Sequence, residues 1–403
     1  MKKNTLAAHN IRLLFWANLF GNVKFLQPVL ALFYFARGLD ESLILLVMLV
    51  WSTGVLIGEV PTGMFADRYG AKRSFLIGSF LSFGSHFILL WAFEPWVFFI
   101  SSFLSGFAAT FFSGADEALI YESLKESKEE SKMDQAMGII QSAGFIVMIF
   151  VVILGAILAK DLTNTQFTLL IMLGSGFQAV QMILVSFIRN PASHGNYREN
   201  PFKQIGEGLL AIKKAPQVLW MFLNISLVFI PAVAVFEQFD QKLLVDASLP
   251  VYLIGVVYAV GASISYFASR NIVFLTSKLS RKKLLVLSGF ISAACLFVAG
   301  LFGSSLIIVL FVLFVLRFVN AIRYPIYSQL SNEYIPSNVR ATTISLLSIV
   351  DSVCDILIFS TLSGIAVLGL TPMFMLCGLI ALFGTLLPVR PAPKLSNEQL
   401  KIS

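Results

Sequence analysis

Charge is what this chain has least of. Asp, Glu, Lys and Arg make up 13% of its 403 residues, against roughly 25% in soluble domains, while 57% are hydrophobic. That balance excludes a large globular core and points to a membrane protein that crosses the bilayer many times. The three cysteines, Cys295, Cys354 and Cys377, all lie in apolar runs without metal-ligand spacing, so they read as packing residues. There is no His/Cys cluster, no phosphate-cradling P-loop and no nucleophile elbow, which argues against an enzyme, a metal site or a bound cofactor. A repeated pore segment or re-entrant loop, as a channel needs, is also missing. The net charge of +7 comes from bases scattered over loops rather than gathered in a stripe, so nucleic acid is not the expected partner.

What is present is apolar length. Twelve runs reach the ~20 residues that a bilayer requires. They lie at 11–35, 43–64, 74–93, 96–121, 135–159 and 167–188, then 216–240, 250–274, 284–302, 305–327, 339–366 and 370–389. The expected architecture is an all-α integral membrane protein. Met1-Lys2-Lys3 before an apolar run mimics a signal peptide, but the run is too long and no small-residue cleavage site ends it, so it reads as an uncleaved first span. The N-terminus, alternate loops and C-terminal tail carry 21 Lys and Arg, whereas the opposite loops carry only Arg37, Lys160 and Lys242. This asymmetry predicts that both termini are cytoplasmic.

The longest polar interval divides the chain into an N-terminal six-helix bundle (1–190), a cytoplasmic linker (191–215), a C-terminal six-helix bundle (216–390) and a tail (391–403). Within the linker, Phe202 to Ile212 is amphipathic and reads as a short helix on the membrane surface. A shift of about 210 residues lays the first basic loop on Val273 to Lys283, with Lys278, Arg281, Lys282 and Lys283 recurring and Ser277 in place of Asp67. Pseudo-symmetric halves are expected of a transporter.

That first loop, Gly63-Met64-Phe65-Ala66-Asp67-Arg68-Tyr69-Gly70-Ala71-Lys72-Arg73, resembles the loop between helices 2 and 3 of the major facilitator superfamily, G-x-x-x-D-[RK]-x-G-[RK]-[RK]. Gly63, Asp67, Arg68, Gly70 and Lys72 match, and Ala71 stands where a base is usual. Ser113 to Leu124 at the end of span four is similar to a motif of the bacterial exporters in that superfamily. So are Arg317, Pro325, Asn332, Ile335-Pro336 and Arg340-Ala341-Thr342 around spans ten and eleven. Span five has Gly138, Gly144 and Gly155 but lacks the Gly-Pro pair of proton-driven drug antiporters. The resemblance implies a fold of two six-helix bundles, a small-molecule substrate, a bacterial cytoplasmic membrane and a monomer.

Ionised groups inside the bilayer need a reason, because each costs at least about 2.5–3.5 kcal/mol at its centre. Lys24 lies about fourteen residues into span one, or ~21 Å at the helical rise. Asn18, Asn22, Gln27 and Pro28 surround it, giving the helix a polar side and a kink. Lys24 either binds an anionic group or pairs with a carboxylate. Asp351 and Asp355 are one turn apart on span eleven, where repulsion and desolvation favour the neutral form of at least one. They are the candidates for proton coupling, with a fixed ion pair to Lys24 or Arg317 as the alternative. Arg317 either faces the cavity or braces span eleven. Glu59, Asp116, Glu117 and Glu122 lie within reach of Arg68, Lys72 and Arg73 and are expected to form a cytoplasmic gate latch. Glu237, Gln238, Asp240 and Gln241 end span seven either as an outer gate or as solvated helix end. His86 reads as a satisfied buried histidine.

The expected function is secondary active transport by alternating access of a small amphiphilic molecule, anionic or zwitterionic. Export leads because the span-four and span-ten motifs resemble exporters. The proton is the candidate coupling ion. Uptake of a nutrient or metallophore is the alternative, and a non-transporting membrane sensor the third reading.

Overall fold

The computed structural model describes residues 5–113, 115–191, 216–334 and 340–389. The linker beyond Pro191, the C-terminal tail, Gly114 and Ile335-Pro336 lie outside the described residues, as do the side chains of Asn332 and Arg340 to Thr342. Among the described residues every regular element is helical. The helices are α1 (Leu6–Gly21), α2 (Leu30–Ala36), α3 (Glu41–Tyr69), α4 (Ala71–Phe87), α5 (Pro95–Thr110), α6 (Ala115–Glu126), α7 (Met133–Leu158) and α8 (Asn164–Ser186). The second half holds α9 (Pro216–Phe229), α10 (Phe236–Asp246), α11 (Val251–Arg270), α12 (Ile272–Lys278), α13 (Arg281–Phe302), α14 (Leu306–Tyr334), α15 (Arg340–Ala366) and α16 (Leu370–Leu386). Ten helical stretches are long and apolar enough to cross a membrane, and two shorter apolar helices, Gln27–Ala36 and Leu370–Leu386, complete the twelve passes. Apolar side chains cover the outside, Ile307 at 80% and Phe150 at 65% exposure among them. Trp91, Phe93 and Trp96, around the turn between α4 and α5, are exposed, as aromatic residues are at a membrane interface.

The first pass of each half is interrupted. In span one the helix stops at Gly21, residues 22–26 are irregular, and a 3₁₀ turn at Gln27–Val29 leads into α2. Pro28 supplies no N–H, and Asn22 bonds back to the Asn18 carbonyl and side chain at 2.7 and 2.5 Å, so the helical ladder is broken locally. In span seven Pro231 sits within a π-helical turn, Ile230–Val235, between α9 and α10. The halves also share a pin. Asn10, fully buried on α1, donates to Ser123 Oγ (2.9 Å) and the Arg189 carbonyl (2.8 Å), tying spans one, four and six. Asn224, fully buried on α9, donates to the Thr385 and Leu387 carbonyls (both 3.2 Å) and ties span seven to span twelve. The pins occupy matching places in the two halves, at the offset of about 210 residues read in the basic loops.

We call the end of the bundle that carries Thr5 and Val389 the near end. There each half has its own core, around Ile11, Phe75 and Leu119 in one and Phe222, Leu285 and Ile326 in the other. Toward the far end a single core unites them, with Phe33, Leu45 and Phe167 beside Phe236, Leu296 and Phe374. Ser42 Oγ meets Ser363 Oγ at 2.8 Å across the halves at that end. Gln241 of α10 accepts from Ala31 N–H (2.9 Å) and donates to the Gln27 carbonyl (3.1 Å), supplying bonds that broken span one lacks internally. Span five closes on the same break: a Cβ at Gly155 would collide with the Phe25 carbonyl, and one at Gly255 of α11 with the α7 backbone.

Gly155→Ala is therefore expected to lower the melting temperature in detergent. Gly63→Ala, where nothing lies within 4 Å, should leave it unchanged or raise it, alanine gaining roughly 0.5–1 kcal/mol over glycine inside a helix. Thermal unfolding followed by tryptophan fluorescence compares them, and equal shifts would contradict the tight approach at Gly155.

Candidate functional site

A cavity of about 470 Å³ opens between the halves, lined by spans one to four, six, seven and eleven. The break in span one places Lys24 in its wall, on irregular backbone, beside Gln27. No carboxylate lies within ion-pair distance of Lys24 among the described residues. Ser52 of α3, Ser82 and Ser85 of α4, and Ser101, Ser102 and Ser105 of α5 give the wall a hydroxyl face. Tyr34, Met48 and Trp51 add an aromatic and thioether side. Three polar atoms bordering the cavity have no partner among the described residues: His86 Nε2, Gln178 Oε1 and Gln238 Nε2. Gln178 is only 4% exposed, so its bare acceptor is a buried one. Unsatisfied polar groups in a low-dielectric wall are costly unless something polar visits them.

Asp355 completes the opposite wall from span eleven. Its Oδ2 accepts from Ser52 Oγ at 2.8 Å, a bond between the halves. Asp351, one turn away, accepts from Ser226 Oγ of α9 at 2.6 Å and lies outside the cavity lining. Neither carboxylate is paired with a base among the described residues, so the fixed ion pair to Lys24 or Arg317 is not the arrangement found here.

Arg317 belongs to a second polar cluster, not to the cavity wall. Its Nη1 contacts Glu237 Oε1 at 2.6 Å, and its guanidinium lies 5.6 Å from the centre of the Tyr258 ring. Tyr258 in turn donates to Asp240 Oδ1 at 2.5 Å. Of the two readings of the end of span seven, the solvated helix end does not hold for Asp240 and Gln241: the helix runs on to Asp246, and they are buried at 0% and 3%. Asn18 and Asn22 also fall outside the cavity wall. Asn18 is spent on the Ile140 carbonyl of α7 at 2.9 Å, and Asn22 on Asn18. His86 is the other correction. Its Nε2 has no hydrogen-bond partner among the described residues and lies against Gly174 of span six, beside the cavity.

The basic loop forms the expected tight hairpin. Gly70 takes φ +84°, a conformation that suits glycine, and Asn190 at the end of span six accepts from Lys72 N–H at 3.2 Å. The expected pairing of the acids with Arg68, Lys72 and Arg73 is not seen among the described residues. Glu59 accepts from Ser113 Oγ (3.2 Å), Asp116 caps its neighbour Glu117 N–H (2.8 Å), and Glu122 is 4.0 Å from Lys125. Among the described residues Arg68, Lys72 and Arg73 make no ion pair with these acids, and Asp67 is exposed. Arg68 stacks toward the Tyr69 ring instead.

Sequence reasoning missed the serines, Gln178 and Arg323. The serines had a readable signal, since 82 and 85, and 101, 102 and 105, recur at helical spacing within apolar runs. Arg323 had one too, as a base deep in span ten. It is 5% exposed and donates to the Leu285 carbonyl (2.7 Å), Ser288 Oγ (3.0 Å) and Asn224 Oδ1 (3.2 Å), which makes it a brace between spans seven, nine and ten.

A family model described as Major Facilitator Superfamily matches residues 14–357. The uncharacterized MFS-type transporter YxaM of Bacillus subtilis (strain 168) is 25% identical over 387 residues, covering 93% of this chain and 94% of that protein. Among solved structures, the D-xylose-proton symporter superposes with a TM-score of 0.74 at 13% identity, over 96% of this chain and 98% of the other. The nucleoside transporter NupG gives 0.70 at 13% identity, over 96% and 98%. A POT family transporter in complex with 5-aminolevulinic acid gives 0.69 at 13% identity, over 93% and 94%.

The Arg317–Glu237 pair yields a stability prediction. Arg317→Gln strands Glu237 next to buried Asp240 and should reduce stability, and with it the melting temperature, by less than the roughly 3–5 kcal/mol seen for fully buried pairs. Adding Glu237→Gln to that variant should restore part of the loss. A double variant less stable than Arg317→Gln alone, measured by thermal unfolding in one detergent, would contradict the pairing.

Proposed function

From membership of the major facilitator superfamily, to which this chain belongs, we propose a secondary active transporter that carries a small hydrophilic anion or zwitterion by alternating access. The observation that carries this reading is Lys24, without an ion-pair partner among the described residues, on the unwound segment of span one and facing a wall of hydroxyls and unsatisfied amides. An ammonium in a low-dielectric cavity favours an anionic visitor, and each bare donor or acceptor offers it a hydrogen bond. The serine face moves the expected substrate from an amphiphile toward a hydrophilic solute. The volume of about 470 Å³ suits a molecule of metabolite size.

In this proposal the present state is open at the near end and sealed at the far end, and the near end is cytoplasmic, where the bases concentrate. Rocking of the halves would close the near end, bring the Asp67 loop into play as a latch, and part the seal around Gln241. Asp355, bonded across the halves and facing the same cavity as Lys24, is the proposed substrate-linked proton carrier. Export follows the resemblance of spans four, ten and eleven to exporters, in the bacterial cytoplasmic membrane and as a monomer. Uptake by proton symport is the second reading. It is favoured by the hydrophilic wall and by the shared fold with a xylose-proton symporter.

The test is ligand-induced thermal stabilisation of the purified protein with a panel of organic carboxylates, amino acids, sugar phosphates, nucleosides and lipophilic cations. An anionic or zwitterionic ligand at about 100 times its Kd should stabilise the protein by about 2.7 kcal/mol, and Lys24→Ala should lose most of that gain. Stabilisation by lipophilic cations that is indifferent to Lys24→Ala would overturn the substrate class.

A further inference from the structure

The serine hydroxyls of the cavity wall have already spent their hydrogens. Ser85 Oγ donates to the Ser82 carbonyl (2.8 Å), Ser101 Oγ to the Ser85 carbonyl (2.7 Å) and Ser102 Oγ to the Val47 carbonyl (2.7 Å). A carbonyl oxygen cannot donate, so the direction of each of these bonds is fixed. Ser52 Oγ gives its hydrogen to Asp355 Oδ2 (2.8 Å). The bonds of Ser101, Ser102 and Ser52 tie α5 to α4, α5 to α3 and α3 to α15, so these hydrogens are held by the packing of the bundle. What remains on each oxygen is a lone pair. Gln178 Oε1 of α8 adds a bare buried acceptor to the same wall. The donors set against them include the Lys24 ammonium and the bare Nε2 of Gln238. His86 Nε2 can take either part, according to its tautomer.

The wall thus offers one cation, on span one, and acceptors from spans two, three, four and six. A solute made only of acceptors, such as a dicarboxylate, can place one end on Lys24. Its other end then meets lone pairs, and displaces their water without replacing the hydrogen bond. A carboxylate with an apolar tail leaves Gln178 Oε1 bare in the same way, and a site built to bond a donor rejects the analogue that lacks it. A solute with a single anionic group and several N–H or O–H groups satisfies both parts of the wall. We propose that the cavity selects a monoanion whose other polar groups are hydrogen-bond donors, hydroxyl or ammonium, with Gln178 as a specificity-determining residue. This rests on the anion-or-zwitterion reading given above and narrows it. Hydroxyls and an ammonium share the donor chemistry that the acceptors require. A hydroxyl can in addition accept from Gln238 Nε2, which an ammonium cannot.

The test compares probes of equal chain length by the thermal stabilisation each gives the purified protein across a concentration series. Gluconate carries a carboxylate and hydroxyls, 6-aminohexanoate a carboxylate and an ammonium, hexanoate a carboxylate alone, and adipate two carboxylates. Gluconate or 6-aminohexanoate should bind at least about tenfold more tightly than both hexanoate and adipate, and the tighter of the two identifies the donor. Lys24→Ala should abolish that binding. Gln178→Leu should weaken the favoured probe at least about tenfold and leave hexanoate unchanged. It should not lower the melting temperature of the ligand-free protein, since it removes a bare buried acceptor, whereas a purely structural glutamine would lower it. The probe series on the parent protein decides the question even where Gln178→Leu does not fold. Adipate or hexanoate binding as tightly as the donor-bearing probes, and still dependent on Lys24, would overturn this selection and leave the anion reading standing. Full affinity for the favoured probe in Gln178→Leu would overturn the role of Gln178. Binding of none of these anions would overturn both readings.

Discussion

The amide of Gln241 holds two things together at once. It replaces backbone hydrogen bonds that span one gives up where it unwinds, and it does so from the opposite half of the molecule. An unwound segment in the middle of a membrane protein is tolerated only where its N–H and C=O groups are satisfied by protein or line a polar cavity. Here both conditions operate. Gln241 and the close approach of α7 at Gly155 support one side of the segment, and the cavity with Lys24 occupies the other. The break thus fixes where the halves touch and where the lysine meets the cavity.

The remaining intramembrane charges are arranged around the same constraint. Arg317 is paired with Glu237, Arg323 is hydrogen-bonded by a carbonyl and an amide oxygen, and Asp351 and Asp355 accept from serine hydroxyls. Lys24 is the exception, with no such partner among the described residues, and it faces the cavity. A group that the fold leaves unpaired next to a site large enough for a solute is where binding energy is available.

Much of this was legible beforehand. Twelve apolar runs, the turn at Gly70 and the internal repeat follow from span length, glycine geometry and hydropathy, which are local properties. Lys24, Gln27 and Asp355 were recognised because charge or amide in an apolar run stands out, and they do share one cavity. What was not legible depends on rotation and depth. Asn18 and Asn22 stand in the same polar side as Lys24 by spacing, yet the break turns them toward α7 and each other. Asp240 and Gln241 fit either an outer gate or a solvated helix end by sequence, whereas a π turn lets the helix continue to Asp246 and buries both. Serines carry too little hydropathy signal to mark a cavity singly, and only their three- and four-residue recurrence on α4 and α5 shows it. Among the described residues the acids read as a latch bond to serine, backbone or a neighbouring lysine instead of to Arg68, Lys72 or Arg73.

The central claim is that one cavity is reached from one side at a time. The most direct measurement is labelling of Ser82→Cys in the cavity wall, with the three native cysteines replaced, by a membrane-impermeant maleimide applied to either face of oriented vesicles. The account predicts labelling from the near face in the resting protein, and exchange of that access for the far face when the halves rock. Labelling from both faces at once would mean a continuous aqueous path, and would contradict the account.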